Sequence, residues 1–162
     1  MNIDIFPSGA FPKERHAAFK DHIGDGWVGD ETERFFRGRD LADVTCETLS
    51  HEYKEVWWAA HNYLNEEAYL FFLPAFLKIA LKDYLVNEGA RVLADALAHG
   101  FFRMAKGEQD HRLLPILRGY SREQLGEIAQ FLRELSRDRY KPVNDCDDAE
   151  PALELFWKQY LN

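Results

Sequence analysis

The chain has 162 residues, of which 46% are hydrophobic and 14% aromatic, so it is long enough to bury a core without disulfides or a structural metal. Its formal net charge of −8 argues against nucleic acids and anionic membranes as partners and favours a basic protein instead. The two cysteines, Cys46 and Cys146, are too few for a disulfide framework or a zinc site, which is typical of reduced thiols in the cytoplasm.

The first part of the chain is rich in prolines and glycines. Residues 1–12 are expected to be irregular because two prolines and a glycine interrupt them. A first helix is predicted over residues 13–23, and it ends at the glycine-rich loop GDGWVGD at residues 24–30. A short helix with two phenylalanines is expected over residues 31–37.

Apolar residues recur at helical spacing over residues 50–63, and Ser50 is a suitable cap for a helix there. The stripe consists of Tyr53, Val56, Trp57, Ala60 and Leu64. This spacing predicts one continuous helix whose aromatic face lies in the core.

The most apolar stretch of the chain is residues 65–85, which we expect to be the central element of the fold. Asn65 is a good helix cap, and the two glutamates after it place negative charge at the helix N-terminus. Residues 68–77 are almost wholly apolar, which predicts burial around most of the helix. Pro74 removes an amide donor and crowds the carbonyl of Leu70, so it predicts either a kink or a break into two helices.

Three further segments follow. A helix is predicted over residues 89–104, and a brief apolar turn over 113–117. The S-x-x-Q capping box that begins at Ser121 predicts a helix to about residue 137. An acidic loop then precedes a final helix over residues 151–161, which has a proline in its first turn.

No segment alternates apolar and polar residues in the way of a strand. The prediction is therefore an all-α fold: a single compact domain over residues 1–162, with about seven helices packed around the Pro-kinked central helix.

Three stretches resemble an uncharacterised bacterial family of small helical domains of unknown function. They are FRGRDLADV at 36–44, LNEEAYLFFLPAFL at 64–77, and the pair YSREQLGEIAQFL at 120–132 and ALELFW at 152–157. The second is the most specific because it is similar to the LPAFL/LPAYL helix motif of the family. The matching positions are caps, the helix proline and apolar stripe residues, so the resemblance implies the helical fold and a bacterial origin but no active site.

The sequence contains none of the spacings that we associate with catalysis or metal binding. The six histidines include no H-E-x-x-H motif, and no serine lies in G-x-S-x-G. The acidic loops lack the register of a calcium-binding loop. We therefore expect no catalytic residues, no metal and no cofactor, and a protein that is not an enzyme.

The N-terminus does not have the basic and then apolar pattern of a signal peptide. The longest apolar run, residues 68–77, is about half the length that crosses a bilayer. These observations favour a cytoplasmic protein that contacts no membrane and no nucleic acid.

The favoured function is a non-enzymatic protein-binding module, of which an immunity-type inhibitor of a basic bacterial toxin is a concrete form. Its contact surface would be the Trp27 loop and the acidic loop before the last helix, where Trp27 is either an exposed anchor or a residue tucked into the core. The residues proposed to contact the partner are Trp27, Asp25, Asp30, Asp145, Asp147 and Asp148.

The alternative is a small-ligand binder or enzyme with an aromatic pocket between the 50–64 helix and the kinked helix. That pocket would be lined by Trp57, Trp58, His61 and Tyr63, and the carbonyl of Leu70 that Pro74 frees would add a polar group. A structural or self-associating role also stays open at this stage.

Overall fold

The computed structural model describes residues 2–6, 8–24, 28–108, 113–137 and 147–161, and within these ranges the chain forms eight α-helices. They are α1 (Val28–Phe36), α2 (Cys46–Glu52), α3 (Trp57–Tyr63), α4 (Glu66–Lys82), α5 (Glu88–Ala105), α6 (Leu113–Gly119), α7 (Arg122–Leu135) and α8 (Ala149–Leu155). Strand-like pairing in these ranges is limited to two isolated antiparallel bridges, Ala10 with Asp40 and Ala18 with Leu64. The predicted all-α fold is confirmed.

Helix α4 begins as the sequence predicts, because the side chain of Asn65 accepts a hydrogen bond from the amide of Ala68 at 3.0 Å. The helix runs unbroken through Pro74 and ends at Lys82, so it is one helix rather than two. Pro74 leaves the carbonyl of Leu70 without a helical donor, and the hydroxyl of Tyr120 donates to that carbonyl at 2.6 Å. The proline is tolerated because this side chain replaces the missing amide.

Helices α4 and α5 together form the centre of the fold. Helix α5 packs against α3, α4 and α8, while α4 also contacts α6 and α7. Ten of the 17 residues of α4 are buried, in agreement with the predicted burial around most of its circumference. One connected apolar core runs from Phe6 to Trp157.

The predicted helix over residues 13–23 is wrong. A 3₁₀ turn at Lys20–His22 is the only helical element there, and residues 13 and 14 form a turn. The amide of Phe19 donates to the carbonyl of Tyr63, and the amide of Asn65 donates to the carbonyl of Ala17. The amides of Ala17 and Ala18 donate to the carboxylate of Glu33 at 2.7 and 3.0 Å instead of to helical carbonyls. A long-range acceptor thus takes the donors that a local helix would need.

The predicted single helix over residues 50–63 is also wrong, because α2 ends at Glu52 and α3 begins only at Trp57. Side chains of α1 hold the break: the amide of Lys54 donates to Glu31 at 2.7 Å, and Arg34 donates to the carbonyl of Glu52 at 2.6 Å. Tyr53 of the stripe is still buried, with its hydroxyl 2.9 Å from that of Thr32.

Two differences concern the C-terminal half. The apolar turn predicted over residues 113–117 is the helix α6, which extends to Gly119. The last predicted helix is divided into α8 and a 3₁₀ turn at Trp157–Tyr160. Trp157 is fully buried there, and its indole N–H donates to the carbonyl of Phe101 at 3.1 Å.

Candidate functional site

Half of the residues proposed to contact a partner, Trp27, Asp25 and Asp145, lie outside the described residues. Asp30 is half-buried in α1, where it accepts a hydrogen bond from the amide of Gly24 at 2.6 Å.

The other two described acids lie at the start of α8. The carboxylate of Asp148 lies 2.7 Å from Nδ1 of His99, and Asp147 is exposed. Helix α1 packs mainly on α3, whereas α8 packs on α5 and α7, so the two acidic segments belong to different parts of the fold.

The four residues of the proposed aromatic pocket have different environments. Trp57 and His61 are buried, and the ring of His61 lies 5.3 Å from that of Tyr69. Tyr63 is half-buried with its ring 5.2 Å from that of His22. Trp58 is exposed. The carbonyl of Leu70, which the sequence assigns to that pocket, instead accepts a part-buried hydrogen bond from the hydroxyl of Tyr120.

A group of exposed apolar side chains lies where α3 meets α5. A Cβ atom added to Gly89 would lie 2.7 Å from Cδ2 of Trp57, so the indole packs directly on the first turn of α5. Four exposed apolar side chains lie close in sequence to Trp57 or Gly89, and we refer to these four as the apolar patch. They are Val56 (53% exposed), Trp58 (40%), Leu85 (54%) and Val86 (84%).

Chain geometry limits how far the two segments of the apolar patch lie from the contact between Trp57 and Gly89. Val56 and Trp58 adjoin Trp57, and Val86 precedes Gly89 by three residues. Consecutive Cα atoms are about 3.8 Å apart, so Val86 lies within about 11 Å of Gly89. The sequence stripe assigned Val56 to the buried face, and the break before α3 is the reason that it is exposed.

Charged residues of both signs adjoin the apolar patch. The nearest in sequence are the acids Glu55, Asp83 and Glu88 and the bases Lys54 and Lys82. The rim therefore has one more acid than base, and the main source of negative potential is the net charge of the whole chain, −8.

A groove of about 810 Å³ lies along the C-terminal half of α4. Its floor includes Pro74, Ala75 and Ile79, and its walls come from residues near the N-terminus and from the segment 40–47. A shallower depression of about 540 Å³ lies beside Arg15 and Asn65. Neither cavity is lined by the residues of the proposed aromatic pocket.

Cys46 lines the groove on α4 and is a free thiol. Burial raises the pKa of this thiol above its ordinary value, and the nearby carboxylate of Asp83 raises it further. The thiol is therefore protonated at neutral pH, which does not suit a nucleophile.

Among the residues that the structure describes, no group of three histidine, cysteine or acidic side chains is arranged to hold a metal ion. None of the described helices has both the length and the apolarity that crossing a bilayer requires.

No family model matches the chain, and comparisons with curated proteins and with solved structures also gave no match. The resemblance to the family with the LPAFL/LPAYL helix motif therefore stays a prediction.

Proposed function

We propose that this chain is a non-enzymatic protein-binding module that presents the apolar patch to a basic partner. The observation that carries the proposal is an exposed tryptophan, Trp58, together with three exposed aliphatic side chains in the two segments that adjoin the contact of α3 with α5. Contiguous exposed apolar side chains on a folded protein are typical of interaction sites, and tryptophan is enriched among the residues that dominate binding energy.

The acidity of the chain supports a basic partner. On and just before α8, Asp147, Glu150 and Glu154 are exposed, next to the exposed Leu155. Charges at the rim of an interface mainly increase the rate of association, whereas buried apolar anchors slow dissociation. We assign the acidic segments to steering and the apolar patch to retention of the partner.

The most specific form of the proposal is an immunity-type inhibitor that neutralises a basic toxin. Its support is the combination of a small helical fold, a net charge of −8 and an exposed aromatic anchor. Electrostatic steering suits a protein that must bind its target quickly.

The test begins with capture of partners from native lysate on the full chain, identification by mass spectrometry, and measurement of binding rates. We expect a partner of basic net charge. Trp58→Ala should raise its dissociation rate at least tenfold, because a central aromatic anchor contributes about 2 kcal/mol or more. Leu155→Ala, an equally exposed apolar position on α8, is the matched control and should leave the rate within about threefold.

A second arm separates the apolar patch from the acidic loops. Replacing Asp147 and Glu150 by their amides should lower the association rate and its salt dependence, with little change in dissociation. Trp27→Ala, alone or with charge reversal at Asp145, Asp147 and Asp148, tests the surface expected from the sequence. Dissociation that responds to Trp27→Ala and not to Trp58→Ala would move the anchor to that loop.

Self-association is distinguished by sizing the purified chain. If the wild type is a dimer and Trp58→Ala is a monomer, the patch is occupied by a second copy, and the proposal of a basic partner at the patch fails.

A further inference from the structure

The groove on α4 has an apolar floor. Pro74, Ala75 and Ile79 supply it from one face of α4, and Phe6 and Val44 extend it from the two walls. Phe6, Val44, Ala75 and Ile79 are at most 6% exposed and Pro74 is buried, so the floor is part of the packed core rather than a set of mobile side chains. Its volume of about 810 Å³ falls within the range of about 300–1,000 Å³ that is usual for small-molecule sites.

Charges in the groove differ by the element that supplies them. Helix α4 contributes Lys78 and Lys82, one turn apart, and the walls contribute Asp4, Asp40 and Glu47. Within the described part of the chain, neither lysine is in an ion pair, and neither are Asp4 and Glu47. Asp40 accepts a hydrogen bond from the amide of Ala42, which fixes its own loop.

We propose that this groove binds a short apolar peptide with free termini. Its carboxylate would pair with Lys78 and Lys82, its ammonium group with Asp4 and Glu47, and its side chains would cover Pro74, Ala75 and Ile79. Charge complementarity supports this ligand, because cations on the helix and anions on the walls match a molecule that has one charge at each end.

Ligands of other charge types match the groove less well. A simple anion would gain from the lysines but would leave the carboxylates of the walls without a cation. A neutral apolar molecule would remove water from charged groups without pairing them, which opposes binding. A ligand with both charges satisfies both sets of groups.

The probe is the tripeptide Leu-Phe-Leu, titrated into the full chain and followed by calorimetry and by amide chemical shifts. We expect saturable binding with shifts at Ala75 and Ile79. Acetylation of the amino terminus and amidation of the carboxyl terminus should each weaken binding about tenfold, because each removes a charge-assisted contact. Equal binding of a blocked peptide and the free one, or no saturable binding, would overturn the proposal.

Matched variants assign each end of the peptide. Lys78→Gln with Lys82→Gln should weaken the free peptide about tenfold and leave the amidated peptide unchanged, since the charge that the lysines recognise is already gone. Asp4→Asn with Glu47→Gln should weaken binding of the free peptide about tenfold and leave binding of the acetylated peptide unchanged. The controls are Lys54→Gln and Glu123→Gln, which are exposed residues outside the groove.

Ala75→Phe places a larger side chain on the floor and should abolish binding of the peptide. A thermal melt of this variant shows whether it is folded. If it is not, the variants at the exposed lysines Lys78 and Lys82 still test the proposal. A folded Ala75→Phe protein that binds the peptide as well as the wild type would place the peptide elsewhere and contradict the proposal.

Discussion

At the scale of single residues, Glu33 joins the N-terminal segment to α1. Its carboxylate accepts hydrogen bonds from the amides of Ala17 and Ala18 and lies 2.8 Å from Nδ1 of His16. Burial raises the pKa of this carboxyl group, but the bonds from Ala18, His16 and Ala17 lower it more, so the pKa lies below the ordinary 4.5. The charged form is therefore the one that stabilises the fold.

Removing the carboxylate of Glu33 should lower the free energy of unfolding more than is usual for a half-buried residue. Glu33→Ala leaves two amides without an acceptor. Each amide that water cannot reach costs about 1–3 kcal/mol, so we expect the free energy of unfolding to fall by about 2–4 kcal/mol. Chemical denaturation measures it. Glu14→Ala, an exposed residue of the same segment, should change the free energy of unfolding by less than about 0.5 kcal/mol. Similar small values for both variants would contradict this role of Glu33.

The same carboxylates predict how stability depends on pH. The pKa of Glu31 is also lowered, first by its hydrogen bond from Arg34. Because the unfolded chain takes up protons at higher pH than the folded one, these groups stabilise the fold above about pH 5 and lose that effect as the pH falls through their folded pKa values.

We therefore expect the free energy of unfolding to decrease from pH 5 to pH 3, and to decrease less steeply in Glu33→Gln. Denaturation curves over this range measure both slopes. If the two proteins had equal slopes, Glu33 would not contribute to the acid sensitivity.

At the scale of elements, α4 depends on a hydrogen bond from another helix terminus. Tyr120 precedes α7, and its hydroxyl donates to the Leu70 carbonyl that Pro74 leaves without an amide donor. Burial raises the pKa of this hydroxyl well above the ordinary value of 10, so it keeps its proton at any pH at which the protein is studied.

Tyr120→Phe should cost about 1–2 kcal/mol, because it leaves a part-buried carbonyl without its donor. In a Pro74→Ala background the amide of residue 74 can donate to Leu70, so the same Tyr120→Phe change should cost less than about 1 kcal/mol. Denaturation of the four proteins of this cycle measures the coupling. Equal costs in the two backgrounds would show that the hydroxyl acts independently of the proline.

The starts of two helices were predictable from the sequence, whereas Ser50, the predicted cap of the helix over residues 50–63, lies within α2, which Thr45 caps. The caps at Asn65 and Ser121 lie where the sequence places them, because a cap depends only on residues within one turn. The break between α2 and α3 was not predictable from the stripe, because Glu31 and Arg34 of another helix supply the hydrogen bonds that end α2 there.

At the scale of the whole molecule, the C-terminal segment closes the core. Helix α8 packs on α5 and α7, and the 3₁₀ turn after it places Trp157 against Phe101, with ring centroids 5.2 Å apart. The indole also donates to the carbonyl of Phe101. One residue thus contributes both apolar burial and a buried hydrogen bond between distant segments.

Trp157→Ala should destabilise the protein by about 3–5 kcal/mol, since it opens a large cavity in the core. Trp157→Phe keeps most of the apolar volume and loses the N–H donor, so a smaller loss is expected. Thermal and chemical denaturation measure the difference, with Trp58→Ala as an exposed control that should cost less than about 1 kcal/mol. A loss at position 58 as large as at position 157 would contradict the exposed placement of Trp58.

The candidate sites were less predictable than the fold. The aromatic stripe identified Trp57 as buried, but it also placed Val56 on the buried face. Val56 is exposed because α3 begins only after it. The groove on α4 joins residues from three segments that are far apart in sequence, so no local pattern indicates it.

The sequence by itself determined the all-α class and the starts of two helices: a central stretch too apolar to lie in water with its cap at Asn65, and apolar residues at a period of 3.6 after the capping box at Ser121. Only the tertiary structure decided that residues 13–19 are not helical, that Pro74 sits within one continuous helix, and which apolar side chains stay exposed. The physical reason is the distance along the chain over which each interaction acts. Helix period and capping act within a turn or two, whereas the acceptor at Glu33, the donor at Tyr120 and the cover over each face come from residues that the chain brings together only when it folds.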